Sequence, residues 1–350
     1  MASATGAKLM NRWRISPSMA VVAVLIVLTL LGAWRYDGFL SAYNVQSVLR
    51  YNSMFALVAL GMCFVIMTGG IDLSVGSVAA LSSVVAAYLS GYGLLPGLLG
   101  GLCAGLLAGT LNAIIITKLK ILPFIATLAT MLAASGTALL LADNQSVSVS
   151  YDTAFVSLGQ GDLLSFMRPE WVDADDAGIV GGIVGFILGF PTPAFIALAA
   201  YIVGAITIGY TAFGRHILAV GGGAEASRLM GLPVDRTIFW AYVMSGCTAG
   251  MAGVILAAQF GAGQPIEGIG WELFAIASVV VGGTLLTGGK GSIGGTLAGA
   301  LLLGMIFTIL NFENGMGWIS LSAYWQSVVR GAFLFVVVVL QAKLSLRAQA

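Results

Sequence analysis

The sequence predicts an all-α polytopic membrane protein with about ten transmembrane helices and both termini in the cytoplasm. Composition is the first reason. Of 350 residues, 59% are hydrophobic and 8% charged, with a mean hydropathy of +1.01, whereas a soluble domain carries about 25% charged residues to cover its water-facing surface. The second reason is that the apolar residues gather into stretches near the roughly 20 residues that a helix needs to cross a bilayer. The third is charge asymmetry. With the N-terminus inside, Lys8, Arg12, Arg14, Lys118, Lys120, Arg215, Arg228, Arg236, Lys290, Lys343 and Arg347 all fall inside, 11 of the 15 basic residues. Asp173, Asp175 and Asp176 fall outside. Basic residues concentrate on the cytoplasmic side of membrane proteins, and an odd number of spans breaks this pattern, so ten is favoured over nine or eleven.

Residues 1–17 form a polar cytoplasmic tail, and 18–342 a single transmembrane domain. The first span, about 18–34, reads as uncleaved because no small-residue cleavage site follows it. Spans 51–68 and 71–90 meet at Gly69-Gly70, and spans 95–117 and 121–141 at Leu119-Lys120. Turns that short make antiparallel neighbours. Residues 143–191 are an acidic extracytoplasmic segment. Within it, 178–190 (GIVGGIVGFILGF) is too short to cross and reads as an interfacial or re-entrant piece. Span 192–211 leads into a cytoplasmic loop at 212–236. Spans 237–258, 271–287, 293–311 and 325–342 follow, then a cytoplasmic tail at 343–350. Gly97, Gly101, Gly105 and Gly109 recur every fourth position on one helix face. Such a surface lets another backbone approach, either within the subunit or across a homodimer seam. A partial internal repeat relates Thr68-Gly69-Gly70…Gly76-Ser77-Val78 to Thr287-Gly288-Gly289…Gly291-Ser292-Ile293.

A net charge of +1 argues against a nucleic-acid partner, and one histidine and three cysteines offer no metal cluster. Lys290 in TLLTGGKGS lacks the spacing of a phosphate-binding loop, so the chain is expected to be no enzyme and to bind no cofactor. Polar side chains inside the spans are the candidates for function. Asp72 lies in TGGIDLSVGSV, and a carboxylate at membrane depth costs roughly 2.5–3.5 kcal/mol on insertion scales. It either braces the turn by accepting from backbone N–H groups freed at Gly69-Gly70 or lines a polar path. Asn52 and Asn112 line a path or bond between helices. Glu272 and Arg330 lie near the outer ends of their spans, where they pair or reach separately for headgroups. Asp72 and Glu272 would also serve as coupling sites in the rival reading, a stand-alone ion-coupled secondary transporter or channel.

The longest cytoplasmic connection carries a short helix in AEASRLMGL. Leu229, Met230 and Leu232 give it an apolar side, Gly231 and Pro233 stop it, and Glu225 and Arg228 add mixed charge. A short amphipathic helix on the cytoplasmic side suits a partner's groove or the lipid headgroups.

Four motifs make the chain recognisable: GMCFVIMTGGIDLSVGSV (61–78), ILPFIATLAT (121–130), FGRHILAVGG…A…LMGL (213–232) and AIASVVVGGTLLTGGKGSIGGTLAG (275–299). Across about residues 40–342 it resembles the permease subunits of bacterial ABC importers for carbohydrates, the group serving ribose, xylose, galactofuranose and autoinducer-2. The stretch ending in ILNF (309–312) looks closest to a galactofuranose permease. The resemblance implies a multi-pass protein of the bacterial inner membrane that works with a second permease subunit, identical or sister. It also implies a dimer of cytoplasmic ATPase subunits holding ATP and Mg, and a periplasmic sugar-binding protein. Residues 221–236 then look like the ATPase-coupling segment, with Gly222, Gly223, Ala224, Glu225, Ala226, Arg228, Leu229, Met230, Gly231 and Leu232 at its centre. Gly223 stands where that segment commonly has Asn, which weakens the helix cap by a few tenths of a kcal/mol. Phe274 stands where many sugar members have Asp, which removes an ionisable group near the outer half of its span. The outer segment 143–190 is longer and more acidic than usual.

Overall fold

A computed structural model describes residues 17–162 and 184–316, with isolated positions between 325 and 335. The helices are α1 (Pro17–Arg35), α2 (Ala42–Met67), α3 (Val75–Ser90), α4 (Leu94–Thr117), α5 (Pro123–Leu141), α6 (Ser157–Gln160), α7 (Thr192–Tyr210), α8 (Ala212–Gly222), α9 (Ala224–Leu229), α10 (Val234–Phe260), α11 (Trp271–Val281) and α12 (Ile293–Met316). Two short strands, β1 (Val147–Ser148) and β2 (Ala262–Gly263), pair antiparallel. Among the described residues seven helices are long and apolar enough to cross a membrane: α1, α2, α4, α5, α7, α10 and α12. The shorter apolar helices α3 and α11 complete the bundle. Most of the expected tenth span (325–342), Arg330, residues 1–16, the tail at 343–350 and residues 163–183 of the acidic outer segment lie outside the described residues. Of 178–190, only the last part is described; residues 184–188 make a helical turn.

Helix α10 is the axis of the bundle, packed against α2, α3 and α4. Its small residues allow this. A Cβ on Gly105 would lie 2.4 Å from the Gly246 carbonyl oxygen and 2.6 Å from Gly250 Cα, and one on Gly109 would lie 2.6 Å from the Tyr242 carbonyl oxygen. The glycine stripe of α4 therefore seats a helix of the same chain, backbone against backbone. Gly97, at its outer end, instead receives the ring of Phe155. On the far flank, α12 runs parallel to α1. Val21 packs with Ala298 and Leu302 near one end, and Phe39 meets Phe312 near the other.

Three span boundaries differ from the apolar pattern. Helix α2 begins at Ala42, well before the apolar stretch, because the Ser41 side chain accepts from the Asn44 N–H and caps it. Helix α3 begins at Val75, since Gly69 (φ +84) turns the chain and Asp72 holds the next residues out of the helix. Helix α11 ends at Val281. Residues 282–292 form an irregular turn with positive φ at Gly283, Gly288 and Gly289. Such backbone is tolerated at depth where protein covers it, and here α2, α8 and α12 do so.

The turns at 68–74, 118–122, 221–236 and 282–292 all gather at one end of the bundle. That end carries Lys118, Lys120, Arg215, Arg228, Arg236 and Lys290, and is the end that the charge rule expects in the cytoplasm. The opposite end holds β1 and β2, the Arg50–Asp162 ion pair and the bond from Tyr88 Oη to the Leu141 carbonyl.

Candidate functional site

Asp72 is almost completely enclosed, with 1% of its surface exposed. Its Oδ1 accepts from the Ser74 N–H (3.0 Å) and the Ser74 hydroxyl (2.6 Å), and its Oδ2 accepts from the Ser245 hydroxyl (2.8 Å). Asn112 Nδ2 donates to Ser74 Oγ (2.9 Å), and the Thr130 hydroxyl donates to Asn112 Oδ1 (2.6 Å). One continuous chain of bonds thus ties the α2–α3 turn to α4, α5 and α10. The Tyr242 hydroxyl, also on α10, donates to the Ile71 carbonyl at 3.3 Å. Buried polar groups that satisfy one another in this way fix a unique packing. The donors to Asp72 differ from those expected. The Gly69 and Gly70 N–H groups return to Ile66 and Val65 carbonyls of α2, so the N–H that Asp72 satisfies is that of Ser74. Ser245 and Thr130 carried no sequence signal, because hydroxyls on apolar helices usually bond back to their own backbone.

The second turn is held differently. Ser292 Oγ accepts from the Gly295 N–H (3.0 Å) and caps α12, and the Thr284 hydroxyl accepts from the Ser292 N–H (3.2 Å). The Gly289 N–H donates to the Met67 carbonyl at 3.0 Å, joining the second turn to the end of α2. The last turn of α8 slots between the two. A Cβ on Gly221 would lie 1.9 Å from the Met67 carbonyl oxygen and 2.4 Å from the Gly289 nitrogen. One on Gly288 would lie 2.7 Å from the Gly69 nitrogen, and one on Gly289 2.8 Å from Gly222 Cα. Only glycines allow three backbones to approach this closely.

Helix α8 leads directly into α9. Gly223 precedes α9 with an extended backbone and no side-chain cap, and its carbonyl accepts from the Ser227 N–H. At the other end Gly231 (φ +79) closes the helix. Its N–H reaches the Arg228 carbonyl and the Leu232 N–H reaches that of Ser227, the paired bonds of a Schellman ending. Gly222, Ala224, Glu225, Ala226, Arg228 and Gly231 are exposed, Leu232 is half-buried, and Ser227 is the buried contact. Leu229 and Met230 are 89% and 69% exposed. Asp235 accepts from Lys120 Nζ (2.7 Å) and Arg228 (3.1 Å), linking α9, α10 and the α4–α5 turn. Exposed pairs of this kind contribute about 0–1 kcal/mol each, so they orient the segment more than they stabilise it.

The remaining candidates lie towards the outer side. Asn52 is buried; its Nδ2 donates to the Val48 carbonyl (2.8 Å), and its amide occupies the space left by Gly304 on α12. Phe274 on α11 packs against Phe55 (ring centroids 4.6 Å apart) and Phe307 (5.5 Å), and Phe55 also meets Trp271 (4.8 Å). Glu272 stands half-buried in the first turn of α11, where a carboxylate suits the helix N-terminus, and its Oε2 borders Gly76 of α3. The structure thus brings Asp72 together with Asn112, and Asn52 close to Phe274 through Phe55 and the α12 face. These are two separate groups. The expected Glu272–Arg330 pair falls outside the described residues.

The chain matches the family described as the permease component of the branched-chain amino acid transport system over residues 44–338. It is 35% identical over 335 residues to the ribose import permease protein of Bacillus subtilis (strain 168), covering 95% of this chain and 94% of that protein. It is 36% identical over 328 residues to the L-arabinose transport system permease protein of Escherichia coli (strain K12), covering 93% and 90%. It is 34% identical over 359 residues to the xylose transport system permease protein of the same organism, covering 91% and 90%. No solved structure matches it.

Proposed function

The chain belongs to the permease-component family of branched-chain amino acid transport systems, and we propose that it is the membrane-spanning subunit of a binding-protein-dependent, ATP-driven importer of a monosaccharide or similar small polar solute. The names of the ribose, arabinose and xylose relatives favour a sugar over the amino acid of the family description. In this reading two permease subunits, identical or sister, form the path across the inner membrane. A periplasmic binding protein delivers the solute to the outer face. A pair of ATPase subunits holds ATP and Mg, and this chain supplies no catalytic group.

The observation that carries the reading is α9. It is a short helix closed by Gly231 that presents Leu229 and Met230 to the cytoplasm. The exposed apolar side of a short helix suits a hydrophobic groove on a partner. Helix α8, one residue upstream, touches both glycine turns, so a push on α9 reaches the transmembrane helices through backbone contacts. Asp72 and Asn112 act as the brace that lets the first turn resist that push.

The test is Leu229→Asp in the full complex, reconstituted in proteoliposomes with its ATPase and binding protein. Because Leu229 is exposed, folding should change by less than about 0.5 kcal/mol. Loss of an interface anchor costs about 2 kcal/mol or more, so ATPase retention and ATP-driven uptake should fall roughly 30-fold. Undiminished uptake would refute the docking role. Uptake by the isolated chain driven by an ion gradient, with no ATPase present, would refute the importer reading and support the secondary transporter.

A further inference from the structure

Two helical stripes face each other in the outer half of the bundle. On α2 the stripe runs through Asn44, Ser47, Tyr51, Asn52 and Phe55, and on α12 through Gly304, Phe307, Thr308 and Asn311; between them lies a cavity of about 340 Å³. That volume falls within the roughly 300–1,000 Å³ of small-molecule sites. The same two helices, with α1, enclose a second cleft of about 240 Å³ on their other flank, walled mainly by aliphatic side chains such as Leu25, Val45, Leu49, Leu301 and Met305. Asn44 and Thr308 border both clefts, whereas Ser47, Tyr51, Asn52 and Asn311 line only the first, which is the more polar of the two.

Interhelical bonding does not account for them. Asn44 Nδ2 donates to the Phe39 carbonyl, Asn52 Nδ2 to the Val48 carbonyl and the Thr308 hydroxyl to the Gly304 carbonyl. Each of these bonds stays on its own side, and among the described residues no hydrogen bond joins the two stripes across the cavity. Polar groups inside a membrane protein are costly unless they bond to something, and these aim their remaining capacity at the space between the helices.

We infer that this cleft is a transit subsite for a neutral, polyhydroxylated solute of monosaccharide size. The inference rests on the importer reading and deepens it. Amides and hydroxyls both donate to and accept from sugar hydroxyls. Tyr51, Phe55 and Phe307 supply apolar ring faces for the C–H surface of a sugar ring. Among the described residues no carboxylate, ammonium or guanidinium lines the cleft, so these residues offer none of the countercharges that the two ends of a free amino acid require. The tilted, packed rings of Phe55, Phe274 and Phe307 form an aromatic barrier on the side of α11. Phe274 is thus a positioning residue of the barrier.

The experiment uses the full complex in proteoliposomes, with D-ribose, L-arabinose, D-xylose and L-leucine as radiolabelled probes. Asn311→Leu and Ser47→Leu should lower uptake of whichever pentose the wild type carries at least ten-fold, while ATP hydrolysis stimulated by the binding protein stays within two-fold. In parallel, a membrane-impermeant methanethiosulfonate should modify Ser47→Cys and Asn311→Cys at least ten-fold faster than Leu301→Cys and Met305→Cys in the aliphatic cleft. This arm also decides the matter if the leucine variants fail to assemble. Equal modification of the two clefts, or unchanged pentose uptake by Asn311→Leu, overturns the subsite. A wild-type complex that carries leucine and no pentose overturns the sugar reading itself, whatever the labelling shows.

Discussion

Removing the Asp72 carboxylate should unbalance the bundle before it affects transport chemistry. Three donors converge on it, at 3.0 and 2.6 Å on one oxygen and 2.8 Å on the other. Hydrogen bonds to a charged group contribute about 1.5–3 kcal/mol each, and a buried donor left without an acceptor costs about 1–3 kcal/mol. In Asp72→Ala the Ser245 hydroxyl can turn back to a carbonyl of α10, but the Ser74 N–H is orphaned and the Ser74 hydroxyl loses its acceptor. Relief of the carboxylate's own desolvation offsets part of this, leaving a net cost of about 1–3 kcal/mol, that of a buried donor left unsatisfied. At roughly 2 °C per kcal/mol for a chain of this size, Tm should fall by about 2–6 °C. Asp72→Asn should behave otherwise. Its oxygen can keep both Ser74 bonds while its amide donates to Ser245, whose hydroxyl rotates to accept, so the loss should be about 1 kcal/mol or less. The assay is thermal unfolding of the purified complex in detergent, followed by size-exclusion, beside uptake in proteoliposomes. If Asp72→Ala has wild-type Tm and no uptake, the brace is wrong and the side chain acts on the path.

Two further outcomes follow from the glycine contacts. Gly105→Val places its Cβ 2.4 Å from a backbone oxygen of α10. The helices must separate, at the roughly 1–3 kcal/mol of an overpacked core, so Tm should drop by several degrees, whereas Gly136→Ala, with open space around it, should not lower it. Equal Tm values for the two would refute the tight α4–α10 pair. Gly221→Ala sets a methyl between the Met67 carbonyl and the Gly289 N–H. It should lower the ratio of solute imported to ATP hydrolysed, measured in the same vesicles, and an unchanged ratio would refute transmission through that junction.

Much of the architecture was legible because a bilayer imposes simple rules. Apolar length marked the seven long helices, and the basic residues of the expected cytoplasmic turns do gather at one end of the bundle. The α4 stripe announced a close helix contact from its spacing alone. Its complement, Gly246 and Gly250 on α10, was equally visible in sequence, but nothing in one sequence says which two small-residue faces meet. The exact helix starts were hidden because they depend on bonds rather than hydropathy: Ser41 lengthens α2, and Asp72 delays α3. The repeat was legible as a motif but not in register. By helix start, Ser74 before Val75 corresponds to Ser292 before Ile293, whereas the sequence pattern pairs Ser77 with Ser292. Of the Asp72 network, Asn112 stood out as an amide in an apolar span. Thr130 and Ser245 did not, since a hydroxyl on a helix is seldom more than a back-bonded side chain. The outer cleft escaped because its polar residues are divided between two helices far apart in sequence.

The corrected register explains why the two turns behave as different parts. Three residues separate Gly70 from Ser74, and two separate Gly289 from Ser292, so the second turn is one residue shorter and has no carboxylate. Freed from a carboxylate partner, Ser292 caps its own helix, while Ser74 gives its hydroxyl to Asp72 and makes no cap. The first turn is consequently fixed by side chains to α4, α5 and α10. The second is fixed chiefly by backbone contact to the end of α2 and the end of α8. In the importer reading proposed above, a push on α8 is passed to α11 and α12, which carry Phe274, Phe307, Thr308 and Asn311, through the second turn. On that reading the half of the repeat without an aspartate carries the motion, and the half with Asp72 holds the frame against which it works.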